Sequence, residues 1–198
     1  GFIATFIATT LGTLAALGLS RPHMPYKGLI MAILISPMIV PLIITAAGMF
    51  FFYARINLVY SFTGIILAHV ALATPFVVIT VTATLVGFDM NMVKASQSLG
   101  ARPVRTFFKV IMPLILPGVI SGALFAFITS FDEVVIVMFM GSLDQLTIPK
   151  QMWAGIRQEI SPVILCMATC LVVLSILLLT TVELLRRRSE KLRGITSR

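Results

Sequence analysis

Charge is what this chain has least of. Only 7 of its 198 residues are acidic, charged residues of both signs make up 11%, and histidine occurs twice, at His23 and His69. An ordinary soluble domain of this length is excluded, because so few polar groups cannot coat a core. Cysteine is almost as scarce. Cys166 and Cys170 lie four apart in one apolar run, a poor geometry for a bridge and too few ligands for a metal centre. Small apolar packing is the role expected of them. There is no G-x-x-x-x-G-K-[ST] phosphate loop, no metal-ligand spacing, and no nucleophile with a histidine and a carboxylate to orient it. Catalysis, a cofactor and a metal are therefore not expected, and any work done by ATP must come from another chain.

What is present is hydrophobic: 59% of residues, with a mean hydropathy of +1.07. A bilayer core about 30 Å thick takes roughly 20 apolar residues per helix. That ruler marks spans near Phe2 to Leu19, Leu29 to Phe52, Phe62 to Val86, Leu116 to Met140 and Val163 to Leu185. The expected fold is all-α, a polytopic helical membrane protein with about five transmembrane helices in a single domain over 1–198. The run at Gly1 is too long for a signal peptide and lacks its basic flank and cleavage site. Because the chain starts already inside an apolar run, an upstream segment is expected.

The net charge of +8 could suggest nucleic acid, but the basic residues fall between and after the apolar runs. They set topology instead, and the expected partner is the lipid bilayer, with no nucleic acid. Placing 89–113 in the cytoplasm puts most lysines and arginines inside, including the basic tail 186–198, and leaves only Arg55, Lys150 and Arg157 outside. Gly1 is then near the outer face. Pro37, Pro41 and Pro75 imply kinks that pack against neighbouring helices or line a cavity, since broken backbone is not satisfied by lipid.

Two lines of small residues recur every four positions: Ala4, Ala8, Gly12, Ala16 and Ser20, then Gly118, Gly122, Ala126 and Ser130. Such faces let helices approach closely, within this chain or against another subunit. The segment 141–162 has a helix start signal at Thr147 ahead of Pro149, with Ile148, Met152 and Ile156 at helical spacing and Trp153 as an interfacial anchor. It reads as a short helix at the outer face, either a surface cap or part of a vestibule.

Inside a span, Asp132 and Glu133 are the strongest functional signal. They lie about 25 Å along the helix from Leu116, where each carboxylate costs up to about 3 kcal/mol unless it faces a cavity or a partner. A solute path, a basic partner such as Arg55 or Lys150, and a proton shared between the two are all open. His69, within the third span, needs a hydrogen bond across helices or a place on the solute path. His23 is expected to be solvated in a cytoplasmic loop.

The long polar interval is DMNMVKASQSLGARPVRTFFKVIMPLILP, from Asp89 to Pro117. Asp89 or Asn91 can cap a helix ending at Leu99, Gly100 suits a left-handed C-terminal cap, and Pro103 suits the first turn of a second helix. That second helix presents Arg102, Arg105 and Lys109 on one side and Phe107 and Ile111 on the other. Two short helices around a glycine make a docking surface at a membrane edge.

Lys94-Ala95-Ser96, Gly100-Ala101 and Val110-Ile111-Met112-Pro113 resemble the E-A-A-x-x-x-G … I-x-L-P loop of membrane subunits of binding-protein-dependent ABC importers. The glycine, its spacing and the proline match, whereas Lys94 stands at the glutamate and Ser96 at the second alanine. The resemblance runs through SFDEVVIVMFMGS and TIPKQMWAGIRQEISP, and within the family is greatest to the second permease subunit of spermidine/putrescine importers. It implies the type I importer permease fold, translocation of a polyamine by alternating access, and a multi-pass place in a bacterial inner membrane. It implies three protein partners: a cytoplasmic ATP-binding subunit acting as a dimer, a homologous second permease, and an extracytoplasmic solute-binding protein. Lys94, Ala95, Ser96, Gly100, Ala101 and Pro113 become the candidate ATPase-coupling residues, and Asp132, Glu133 and His69 the candidate solute path. The alternatives are a permease for another small organic solute, or a secondary transporter or membrane scaffold working without ATP.

Overall fold

The computed structural model describes residues 1–21, 24–86, 91–158 and 162–192. Its helices are α1 (Phe2–Leu19), α2 (Lys27–Ile39), α3 (Leu42–Arg55), α4 (Phe62–Val86), α5 (Asn91–Ser98), α6 (Pro103–Thr106), α7 (Met112–Phe131), α8 (Val135–Met140), α9 (Ile148–Gln158) and α10 (Pro162–Leu192). A π turn over Phe107–Ile111 joins α6 to α7. Phe2–Leu19, Phe62–Val86, Pro103–Phe131 and Pro162–Thr181 are each long and apolar enough to cross a membrane, and α2 with α3 adds a fifth crossing if the bent pair is one span. His23, the Asp89 cap, residues 159–161 of the outer segment and the tail from 193 to 198 lie outside the described residues.

The centre of the structure is α4, with α1 and α7 packed on it. Ala68, Ala73, Val77, Val78 and Val81 of α4 are fully buried. Lipid is as apolar as these side chains, so close van der Waals contact, which small residues permit, must hold the helices together. Ala4, Ala8, Gly12 and Ala16 of α1 and Gly118, Gly122, Ala126 and Ser130 of α7 are all buried. A Cβ added at Gly12 would come within 2.6 Å of Val77, and one at Gly122 within 2.5 Å of the Thr80 hydroxyl. Both lines of small residues thus serve packing within this chain, and both close on α4 around Val77.

The second and fourth expected spans are broken helices. The run from Leu29 to Phe52 bends by 106° between α2 and α3. Val40 there is extended, at φ −70° and ψ 135°, because the ring of Pro41 disfavours helical backbone in the residue before it. Pro37 and Pro75 do not break their helices, and Pro75 is fully buried in α4, which runs on through it. The fourth span begins well before Leu116, since α6, the π turn and α7 are continuous, and it stops at Phe131 before resuming as α8. The second short helix expected after Gly100 is therefore the first part of a span. A further correction concerns α10, whose contacts are mainly with α7 and α9. Cys166 and Cys170 are exposed on it, so they pack against nothing in this chain's core.

Candidate functional site

The break between α7 and α8 is made by a side chain. Asp132 closes α7 with its amide on the Ile128 carbonyl, at φ −95° and ψ 2°. In a continuous helix the next-turn amide, that of Ile136, would donate to the Asp132 carbonyl. Instead it donates to the Glu133 carboxylate, 2.9 Å from each oxygen. A local acceptor of this kind competes with the helical hydrogen bond and, at the start of a helix, replaces it. The Glu133 side chain is 3% exposed, and its Oε2 lies 3.6 Å from His69 Nε2. His69 Nδ1 in turn is 2.7 Å from the Ser130 hydroxyl. Ser130, His69 and Glu133 thus form a buried polar chain between α4 and both sides of the break.

The two acidic residues part company. Glu133 is buried, whereas its neighbour Asp132 is exposed at a cavity of about 630 Å³. The walls of that cavity are the two interrupted spans: Val40 and Pro41 at the bend, and Asp132 and Val134 at the break, with Leu72 and Phe76 of α4 behind them. Irregular backbone at membrane depth is tolerated where it is buried in protein or lines a cavity, and both breaks here meet at one. Neither basic partner considered from the sequence is engaged with the pair. Lys150 donates instead to the carbonyls of Ser142 and Gln145, and among the described residues Arg55 makes no ion pair with either carboxylate. A second cavity, of about 470 Å³, lies on the face that carries α9, where Phe62, Ile66, His69, Ser130 and Gln145 line it. His69 therefore makes the expected hydrogen bond between helices, and it also lines this second cavity.

Sequence reasoning missed Ser130 as a partner, because it reads as the last member of a small-residue line. It also missed Gln145, buried with its Oε1 accepting from the Ser142 amide and its Nε2 donating to the Tyr60 carbonyl. Nothing in the local pattern marks that residue. The expected outer helix forms as α9, started by Thr147, whose hydroxyl accepts from the Lys150 amide at 3.4 Å. Trp153 is 44% exposed on it, with the Arg157 guanidinium 5.6 Å from its ring centroid.

At the opposite end, α5 runs from Asn91 to Ser98, so Asn91 is its first residue. Gly100 adopts φ +78°; its amide donates to Gln97 and the Ala101 amide to Ser96. This is the paired hydrogen-bond pattern of a glycine-terminated helix. The turn is clasped by Ser96 Oγ, 2.7 Å from the buried Thr106 hydroxyl of α6. Lys94 and Ala95 are exposed, Ala101 and Pro113 half-buried, and Leu99 is 88% exposed. Arg102, Arg105 and Lys109 are exposed, while Phe107 and Ile111 turn inward as their spacing requires.

Apolar spans interrupted around a charged cavity, with a structured turn projecting at one end, define a membrane transport subunit. The chain belongs to the family of inner membrane components of binding-protein-dependent transport systems, whose model matches residues 8–191. It is 31% identical over 189 residues to the spermidine/putrescine transport system permease protein PotC of Haemophilus influenzae, covering 96% of this chain and 74% of that protein. Against PotC of Escherichia coli K12 the identity is 31% over 190 residues, covering 96% and 72%. The putrescine transport system permease protein PotI of the same organism is 29% identical over 174 residues, covering 84% and 62%. A chain of the MetNI methionine ABC transporter, solved in an inward-facing conformation, shares the fold with a TM-score of 0.76 at 19% identity, covering 95% of this chain and 90% of that one. The protein is thus a multi-pass permease subunit with the importer fold, and ATP hydrolysis belongs to a separate chain.

Proposed function

We propose that this chain is one half of the translocation path of a bacterial ABC importer for a small polyamine, of the spermidine or putrescine kind. Similarity to polyamine permeases over nearly the whole chain carries this reading. It is supported by the cavity at the two helix breaks, whose charged lining residues are Asp132 and Glu133. A polyammonium ion leaving water needs compensation, and a carboxylate in surroundings of lower dielectric constant supplies far more of it than it would in bulk water.

In this reading a homologous permease completes the path in the bacterial inner membrane. A solute-binding protein delivers polyamine at the face carrying α9. A cytoplasmic ATPase dimer seats against α5, the Gly100 turn and α6. Because α6 is continuous with α7 through the π turn, movement of the docked segment is carried along one span towards the break at Asp132. ATP binding and hydrolysis then bias the path between outward and inward access, through the different contacts the ATPase makes in its closed and open forms.

The test is copurification from membranes, with mass spectrometry of the associated chains, followed by ATP-driven uptake of labelled spermidine in proteoliposomes. An ATPase, a second permease and saturable uptake of spermidine are expected. A complex without an ATPase would contradict the importer reading, and ATP-driven uptake of another solute in place of polyamine would contradict the substrate.

A further inference from the structure

We infer that His69 and Glu133 form a positioning pair that fixes the α7–α8 break and so presents Asp132 to the cavity, with Asp132 alone of the two acids meeting the solute. The division rests on geometry. Both Glu133 oxygens are held by the Ile136 amide, its side chain is 3% exposed, and His69 stands 3.6 Å from Oε2. The single amide leaves the carboxylate its charge and spare acceptor sites, but burial keeps it from direct contact with a passing cation. Both acids line the same cavity, but Asp132, one residue before the captured turn, is exposed there and Glu133 is buried. Its direction follows from where the helix stops, and the helix stops where Glu133 removes the Ile136 amide from the ladder.

His69 supports Glu133 from α4. Its Nδ1 is engaged with Ser130, the last buried residue of α7, while Nε2 is buried and has no hydrogen-bond partner closer than the carboxylate. The ring thus bridges the end of one helix and the start of the next. Its two nitrogens can be separated experimentally, since an asparagine amide reaches about as far as Nδ1 and a glutamine amide about as far as Nε2.

The first test does not depend on the solute. In the assembled transporter, with Cys166 and Cys170 replaced by serine, Asp132→Cys should react readily with a cationic methanethiosulfonate and Glu133→Cys should not. Adding His69→Ala should slow labelling of position 132 by about tenfold, and His69→Gln should restore it towards the parent rate, as expected for the loss and return of one close polar contact to the buried carboxylate. The second test rests on the polyamine reading. At matched amounts of complex and with basal ATP hydrolysis unchanged, spermidine uptake should fall about tenfold in His69→Ala and His69→Asn and remain within about threefold in His69→Gln. Unchanged labelling of position 132 in His69→Ala, equal behaviour of the Asn and Gln variants, or loss of the assembled complex in all three would overturn the inference. A parent complex that labels as described but takes up no polyamine would leave the positioning pair standing and contradict the substrate.

Discussion

Two of the chain's helix interruptions, at Gly100 and at Asp132–Val134, differ in what holds them. At Gly100 the interruption is exposed, made by a backbone angle of +78° that glycine adopts without strain, and closed by amides on Ser96 and Gln97. At Asp132–Val134 it lies within a span and is made by a side chain, the Glu133 carboxylate taking one amide out of the ladder. Water can rescue an imperfect turn at the first site. At the second the captured amide and the carboxylate are buried among protein groups, where a lost partner is not readily replaced. The surface turn should therefore fail in function while the protein remains folded, and the buried break should fail in both.

The largest effect is expected at the buried break. Glu133→Leu strands the Ile136 amide, a loss of about 1 to 3 kcal/mol for an unsatisfied buried group, and takes the carboxylate away from His69. Thermal stability of the purified complex should fall and transport should disappear, whereas Glu133→Gln, which keeps one acceptor oxygen, should lie in between. A Glu133→Leu complex with parental stability would show that the break does not depend on the captured amide.

At the surface turn, Gly100→Val places a β-branched residue at positive φ, which costs on the order of 1 to 3 kcal/mol. No atom lies within 4 Å of an added Cβ, so the strain is in the backbone alone. Transport should drop at least tenfold with membrane abundance nearly unchanged, and Gly100→Asn, which tolerates this region, should recover most of it. Normal uptake in the valine variant would remove the turn from the coupling path. A smaller effect is expected from Ser96→Ala, which breaks the clasp to Thr106 at 2.7 Å. One hydrogen bond of this kind is worth about 1 kcal/mol, and hydrogen exchange of the α5 amides should rise by a comparable factor.

The comparison also needs the Gly100 turn on the cytoplasmic side and the loop after α8 outside. In a cysteine-free background, Ser142→Cys should react with an impermeant reagent in intact cells and Ser98→Cys should react only after permeabilisation. The reverse pattern would invert the topology. The smallest effect concerns that background itself: replacing Cys166 and Cys170, exposed on α10, by serine should change uptake by less than about twofold.

Legibility in the sequence follows the same division. The surface turn was readable because its parts are local: Gly100 at a helix end, Pro103 opening the next, and an apolar and a basic side set by spacing. Spans were readable from length and hydropathy, and the small-residue lines from a period of four. Hydropathy alone says little of interruptions: Pro41 signalled a kink but not a bend of 106°, and nothing signalled the stop at Phe131. Pro41 broke its span and Pro75 did not, although both lie inside apolar runs; the difference is the packing around α4, which only the assembled fold supplies. Asp132 and Glu133 stood out as charges in lipid, but their division of labour depends on His69 and Ser130, some sixty residues apart in the chain and 2.7 Å apart in space.

The account's central claim is that a cationic solute passes Asp132. Asp132→Asn keeps the shape and removes the charge, and the exposed residue has no buried partner to strand. In proteoliposomes containing the complete transporter, at matched protein and with ATP hydrolysis intact, the account predicts that ATP-driven uptake of spermidine is abolished or nearly so. Uptake at the parental rate in that variant would contradict it.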